Sequence, residues 1–264
     1  MSFHRLPRPI QFMIRYAAAA TSALYLLTLG VATTRGRRSI ARLANDLGLD
    51  GPRAPKLPRI EPDALTSDRT TVTMRASAGT DGNVSHLELL VLNRLVRERV
   101  PSTIFEIGTF DGRTALNLAA NAPSATVYTL DLPPAPRPQL VVDRYDQQYM
   151  RDDISGRLLV DSDVESRVHR LRGDSATFDF SPYAAQVVFV DGAHSYEYVM
   201  SDARAALGLL RNGGGVVLFH DYSAWDGVTR ALEELQATDP EFADLRWIDG
   251  TTLAILTRAE RHDA

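Results

Sequence analysis

Residues 106–112 read Glu-Ile-Gly-Thr-Phe-Asp-Gly, between an apolar run at Thr103–Ile107 and a helix-forming stretch at Arg113–Asn121. Gly108 permits a tight turn, and Gly112 lets backbone come close to a ligand where the helix begins. A pyrophosphate would need bare amides at such a helix start, as in G-x-G-x-x-G. Here Phe110 and Asp111 stand in that space, and an acidic side chain there repels phosphate. Glu106, at the end of the apolar run, is instead placed to meet an ammonium group. The turn, with Thr109 inside it, therefore suits a positively charged nucleoside. Asp131 follows about twenty residues later, the usual position of a carboxylate that accepts both ribose hydroxyls. Asp174 and Ser175, in "RGDSATFDF", suit the edge of a purine.

These residues need a scaffold that brings them to one edge. Five short apolar runs, at Thr103–Ile107, 125–130, 168–171, 186–190 and Gly215–Phe219, are each followed within two residues by Gly or Asp. Such runs mark buried parallel strands that end at a functional edge. Helical stretches lie between them, at Arg113–Asn121, Tyr196–Leu210 and 227–237, the last with Asp226 as its acidic start. An earlier helix is expected over residues 84–100, where Leu87, Leu90, Val91, Leu95 and Val96 keep helical spacing and Pro101 closes the run. Residues 245–248 and 251–257 around Asp249-Gly250 read as a hairpin. The predicted fold is α/β: a Rossmann-like open, mostly parallel seven-stranded sheet with an antiparallel C-terminal hairpin and helices on both faces. The connection over residues 132–167 is long for such a sheet and is expected to form a lid. Tyr145, Tyr149 and Arg151 within it, and Tyr222 and Trp225 after the fifth strand, are candidates to touch a second substrate.

S-adenosylmethionine carries an ammonium, a sulfonium, a ribose diol and an adenine, and so fits the turn and its acids. Residues 84–257 resemble a class I S-adenosylmethionine-dependent methyltransferase. The stretch "FVDGAHSYEYVMSDARAALGLLRNGGGVVLFHDY" is similar to methyltransferase family 24, a group that includes antibiotic-sugar O-methyltransferases. "EIGTFDGRT" also resembles the "EIGTFTG" turn of the catechol and caffeoyl-coenzyme-A O-methyltransferases. The resemblance implies cofactor contacts at Glu106, Gly108, Gly112 and Asp131. It also implies a hard divalent ion at the ends of the fourth and fifth strands, where it would bind the substrate oxygens and acidify a hydroxyl. Asp191 matches the fourth-strand ligand, Asp221 matches a fifth-strand ligand, and His220 stands where those enzymes have an aspartate. An imidazole in that set moves preference from Mg²⁺ toward Mn²⁺ or Fe²⁺. His194 stands where the related enzymes place a basic lysine, and imidazole can accept a hydroxyl proton near neutral pH.

The reaction so implied is O-methylation of a small molecule, a sugar, a phenol or a glycolipid by displacement at the sulfonium methyl. Other readings stay open. Asp191 and Asp221 would serve only to shape the cofactor pocket if His220 is satisfied by hydrogen bonds and His194 caps a helix. An NAD-dependent oxidoreductase would use the same sheet and Asp131, although the chain lacks the second glycine and a Tyr-x-x-x-Lys pair. A non-catalytic cofactor-binding module would leave Asp191, His194, His220 and Asp221 without a shared focus.

The 264 residues carry a net charge of −4, which argues against a protein that coats nucleic acid, and the absence of cysteine removes disulfides and thiolate chemistry. Residues 1–60 divide into an uncharged stretch at 16–34, flanked by arginines, and a proline-rich linker at 51–62; residues 61–264 are expected to form the catalytic domain. The uncharged stretch is near the spanning minimum. It is read as a helix in or on a membrane, as a helix packed on the protein, or as a cleaved leader. The last fits least, because the cofactor is made in the cytosol. A cytoplasmic domain, anchored to the cytoplasmic face if the stretch inserts, is the matching location, and a homodimer would be ordinary.

Overall fold

The computed structural model describes residues 7–33, 36–37, 40, 55–80, 82–133, 137–144, 146–150, 153–210 and 214–259. The chain divides into two compact units, Met1–Pro52 and Arg53–Ala264. The first contains α1 (Arg8–Leu27), which starts after Pro7 and is followed by a turn of 3₁₀-helix at Leu29–Ala32. Among the described residues no helix is long and apolar enough to cross a membrane.

The second unit is built on one eight-stranded sheet. Its strands are β1 (Arg59–Ile60), β2 (Thr103–Ile107), β3 (Thr126–Asp131), β4 (Val168–Arg172), β5 (Val187–Val190), β6 (Gly215–Phe219), β7 (Arg246–Ile248) and β8 (Ala254–Arg258). They run in the order β1-β7-β8-β6-β5-β2-β3-β4, and β8 alone pairs antiparallel with its neighbours. The helices are α2 (Pro62–Leu65), α3 (His86–Arg99), α4 (Arg113–Asn121), α5 (Tyr196–Leu210) and α6 (Asp226–Thr238).

Because side chains alternate along a strand, a central run such as β2 supplies both faces of the sheet. Ile104 joins a core with Leu89, Leu92 and Leu118 from α3 and α4, while Phe105 and Ile107 join one with Ala203, Leu209 and Leu232 from α5 and α6. The open, mostly parallel sheet with helices on both faces agrees with the predicted fold. The difference is an eighth strand: Arg59–Ile60 pairs in parallel with β7, and Leu57 is buried, with its amide and that of Lys56 donating to the Tyr222 hydroxyl. The second unit thus begins before the expected boundary at Glu61. A two-residue strand inside a proline-rich stretch leaves no period to read.

Two devices fix the front of the sheet. A capping box starts α3, with Ser85 Oγ accepting from the Glu88 amide and Glu88 Oε2 accepting from the Ser85 amide. Ahead of it, the extended backbone at Thr73 and Arg75 is held by Asn121 and Asn117, one helical turn apart on α4. Each side-chain amide donates to that residue's carbonyl and accepts from its N–H at 2.8–3.0 Å, and also donates to the carbonyl one turn back in α4. Arg113, 1% exposed, donates to the carbonyls of Ala76 and Val84.

Candidate active site at the strand ends

The turn after β2 rests on two left-handed glycines. Gly108 has φ +101°, and a Cβ there would lie 1.9 Å from the Asp191 carbonyl oxygen, so the turn is pressed against the end of β5. Gly112 has φ +85° and begins α4; a Cβ there would meet Leu159 at 2.8 Å. Asp111 does not face a ligand space as expected. It is 2% exposed and accepts from Asn83 Nδ2 at 3.0 Å and the Arg113 amide at 3.1 Å, which makes it a brace for the turn.

Glu106 is also buried, at 1% exposure, and accepts a hydrogen bond from Thr129 Oγ1 at 2.5 Å; Thr109 shares that Thr129 hydroxyl at 2.7 Å. Burial, opposed in part by the Thr129 bond and reinforced by the charges of Asp191, Asp131 and Asp111, pushes the Glu106 carboxyl well above the usual carboxylate range. Asp131 ends β3 and accepts from the Leu132 amide at 3.0 Å and from Ser155 Oγ. Asp174 holds a turn: it accepts from the Ala176 and Gln139 amides and from the Tyr198 hydroxyl at 2.9–3.0 Å. Ser175 follows it beside Asp202 of α5, whose carboxyl oxygens are buried; burial, opposed in part by the Ser175 hydroxyl and reinforced by the charge of Asp174, pushes Asp202 up to about 7.

Beyond β5 and β6 two imidazoles lie among four carboxylates. His194 Nδ1 pairs with Asp146 Oδ1 at 2.5 Å, its amide donates to Asp146 Oδ2 at 2.9 Å, and its Nε2 lies 2.7 Å from Asp221 Oδ2. Trp225 stacks on the ring, with centroids 4.3 Å apart. Burial alone would lower the pKa of His194, but its bonds to Asp146 and Asp221 and their charges push it up to about 10. His220 sits deeper. Its Nδ1 lies 2.9 Å from Asp191 Oδ1 and 3.2 Å from Asp221 Oδ2, and its Nε2 lies 3.3 Å from Glu88 Oε2. Burial opposes its charge, yet Asp191, Asp221 and Glu88 hold it well above the usual histidine range. Asp221 occupies left-handed backbone, φ 62°, and despite burial the two imidazoles keep its carboxyl well below normal.

Asp191, His194, His220 and Asp221 therefore share one focus. Asp191, His194 and Asp221 each offer a ligand atom within 4.8 Å of the others, and His220, the imidazole expected in the metal set, adjoins Asp191 and Asp221; the ring nitrogens of both histidines face carboxylates. Two carboxylates and one imidazole fit a hard to borderline divalent ion, and Asp146 behind Nδ1 leaves Nε2 as the ligating atom.

The long connection lies across these groups. Gly156 and Leu158 donate to the carbonyls of Phe110 and Asp111, and Asp146, in a 3₁₀ turn at Asp146–Gln148, reaches His194. Of the candidate acceptor contacts, Tyr222 is fully buried and serves the backbone of residues 56 and 57, Tyr149 packs on Phe110, and Tyr145 and Arg151 lie outside the described residues. Two site residues escaped the sequence reading. Glu88 announced itself only as a capping-box acid, although its other oxygen accepts from the Thr252 amide and hydroxyl at 2.7 Å and its carboxyl, despite burial, is held at about 2 by His220 and Thr252. Asp146 carried no signal, since nothing in the connecting segment sets it apart from its other acids.

Residues 105–222 match methyltransferase family 24, whose model is described as a methyltransferase domain. No curated protein matches the chain. Solved structures of similar fold include the O-methyltransferase TomG of Streptomyces achromogenes with SAM, at 22% identity over 69% of this chain and 83% of that one, TM-score 0.47. Podospora anserina methyltransferase PaMTH1 with SAH matches at 20% over 69% and 81%, TM-score 0.48, and a Bacillus cereus O-methyltransferase with SAH at 19% over 69% and 84%, TM-score 0.46. Residues 105–222, the stretch that holds the turn after β2, Asp131, Asp174 and the cluster from Asp191 to Asp221, are thus the part of the chain that matches a methyltransferase domain.

Proposed function

We propose that the protein transfers the methyl group of S-adenosylmethionine to a hydroxyl oxygen of a small molecule, a sugar or a glycolipid. The observation that carries this reading is the contact of the Gly108 turn with Asp191, which puts a nucleoside turn beside the imidazole–carboxylate cluster. Glu106 lies among acids whose combined charge opposes its ionisation, and a ligand with ammonium and sulfonium groups relieves that repulsion. Gly108 and Gly112 provide the close backbone, Asp131 the acceptors for the ribose hydroxyls, and Asp174 with Ser175 the edge for adenine.

His194 is the residue of proton transfer. Asp146 binds Nδ1 and so directs Nε2 toward Asp221 and the strand ends, where an acceptor hydroxyl would replace Asp221 as its partner. Before Nε2 can accept the hydroxyl proton the imidazolium must give its own to solvent, and loss of the Asp221 contact, which removes part of what holds that proton, favours this release. Where Mg²⁺, Mn²⁺ or Fe²⁺ is bound, Asp191, His194 and Asp221 would hold it and it would supply Lewis acidity to the acceptor oxygen; Nε2 would then be a ligand, so proton acceptance by His194 belongs to the metal-free enzyme.

The test is calorimetric titration of the full chain with S-adenosylhomocysteine and with NADH, followed by transfer of labelled methyl to a panel of hydroxyl acceptors with and without a chelator. Binding of the homocysteine nucleoside and not of NADH, with label on oxygen, is expected; binding of NADH alone overturns the reading. His194→Ala is expected to lower the transfer rate at least a hundredfold while leaving nucleoside affinity within about threefold. Equal rates in variant and parent would remove His194 from the mechanism.

A further inference from the structure

The first compact unit contains the helix α1. Phe12, Met13, Tyr16, Leu24 and Leu27 on this helix are each 62–66% exposed, and Phe12 and Tyr16 stack one turn apart. At 3.6 residues per turn these five fall within an arc of about 120°, while Gln11, Arg15 and Ser22 fall together on another side. A broad apolar arc with a narrow polar stripe is the pattern of a helix that lies along an interface, and α1 is not long and apolar enough to cross a bilayer. Charge names the occupant. Seven arginines and no acidic residue precede Asp46, yet the whole chain is at −4, so everything after is strongly acidic. An anionic lipid surface would repel the acidic remainder and attract only this segment.

We propose that α1 is a membrane-surface anchor that lies in the plane of an anionic bilayer, with Phe12, Met13, Tyr16, Leu24 and Leu27 in the acyl boundary and the arginines at the headgroups. A hydroxyl acceptor dissolved in or attached to that membrane would then be concentrated at the enzyme.

The experiment is co-sedimentation of the full chain with vesicles of phosphatidylcholine alone and of phosphatidylcholine mixed with phosphatidylglycerol, at low and high salt. Binding to the mixed vesicles that weakens at high salt is expected, together with at least tenfold weaker partition for the Phe12→Asp, Leu24→Asp double variant and for Arg15→Glu. Because α1 belongs to a separate compact unit, the thermal transition of the second unit serves as the folding control for each variant. Absence of sedimentation in both lipids overturns the proposal. So does unchanged partition of the double variant, or a parent that self-associates through α1, as sedimentation velocity would report, without binding vesicles.

Discussion

Glu106 and His194 are ionisable side chains whose protonation is set by their neighbours, and each leads to a measurement. Glu106 is pushed up by burial and by the charges of Asp191, Asp131 and Asp111, all of which disfavour its ionised form. A cationic nucleoside favours the ionised form, and binding must release a proton. Titration with S-adenosylmethionine in buffers of different ionisation enthalpy is expected to show that release, and Glu106→Gln to abolish it. His194 has a folded pKa of about 10 against an ordinary 6.5, so the folded chain keeps a proton that the unfolded chain loses. Its contribution to stability is complete below about pH 6.5 and is lost as pH rises toward about 10, with a slope of about 1.4 kcal/mol per pH unit in that window. Thermal melting of chelator-treated protein is expected to decline across the window, and less steeply in His194→Gln; identical slopes would refute the assignment. The residual decline belongs to His220, which is shifted the same way.

At the scale of elements, the site depends on where strands stop. β2, β3, β5 and β6 end side by side, so residues from 106 to 221 meet at one edge although up to 115 positions separate them. Gly108 is the tightest point of that edge. Gly108→Ala forces a methyl group onto the Asp191 carbonyl in a backbone conformation that alanine avoids, and is expected to cost about 2–4 kcal/mol and to lower nucleoside affinity. Denaturant unfolding and calorimetry check both halves. The strand and helix bounds were largely legible: the periodic runs at Arg113–Asn121, Tyr196–Leu210 and Gly215–Phe219 become α4, α5 and β6 with those same limits. Asp111 was misread for a physical reason. Spacing tells that an acid stands in the turn, but its χ angles decide whether it faces a ligand or braces Asn83 and Arg113.

For the whole molecule, the second unit includes residues that composition marks as linker. Removing residues 53–60 would expose the site of Leu57, unpair β7 from β1 and leave the buried Tyr222 hydroxyl without two amide donors. A chain of residues 61–264 is expected to be about 2–4 kcal/mol less stable than one of residues 53–264. Equal unfolding midpoints would place the start of the unit where the sequence suggested.

The sequence by itself determined the layered α/β fold, the turn after β2 and the placing of Asp131, Asp191 and Asp221 at strand ends, because those depend on local period and on the order of the strands. Only the tertiary structure decided the partners of the histidines. A side chain's partners are set by distances across elements, and it is packing that puts Asp146 of the long connection on His194 and Glu88 of α3 on His220. Those contacts draw both imidazoles and the carboxylates of Asp191 and Asp221 into one cluster, in which Asp191, His194 and Asp221 each offer a ligand atom within 4.8 Å of the others.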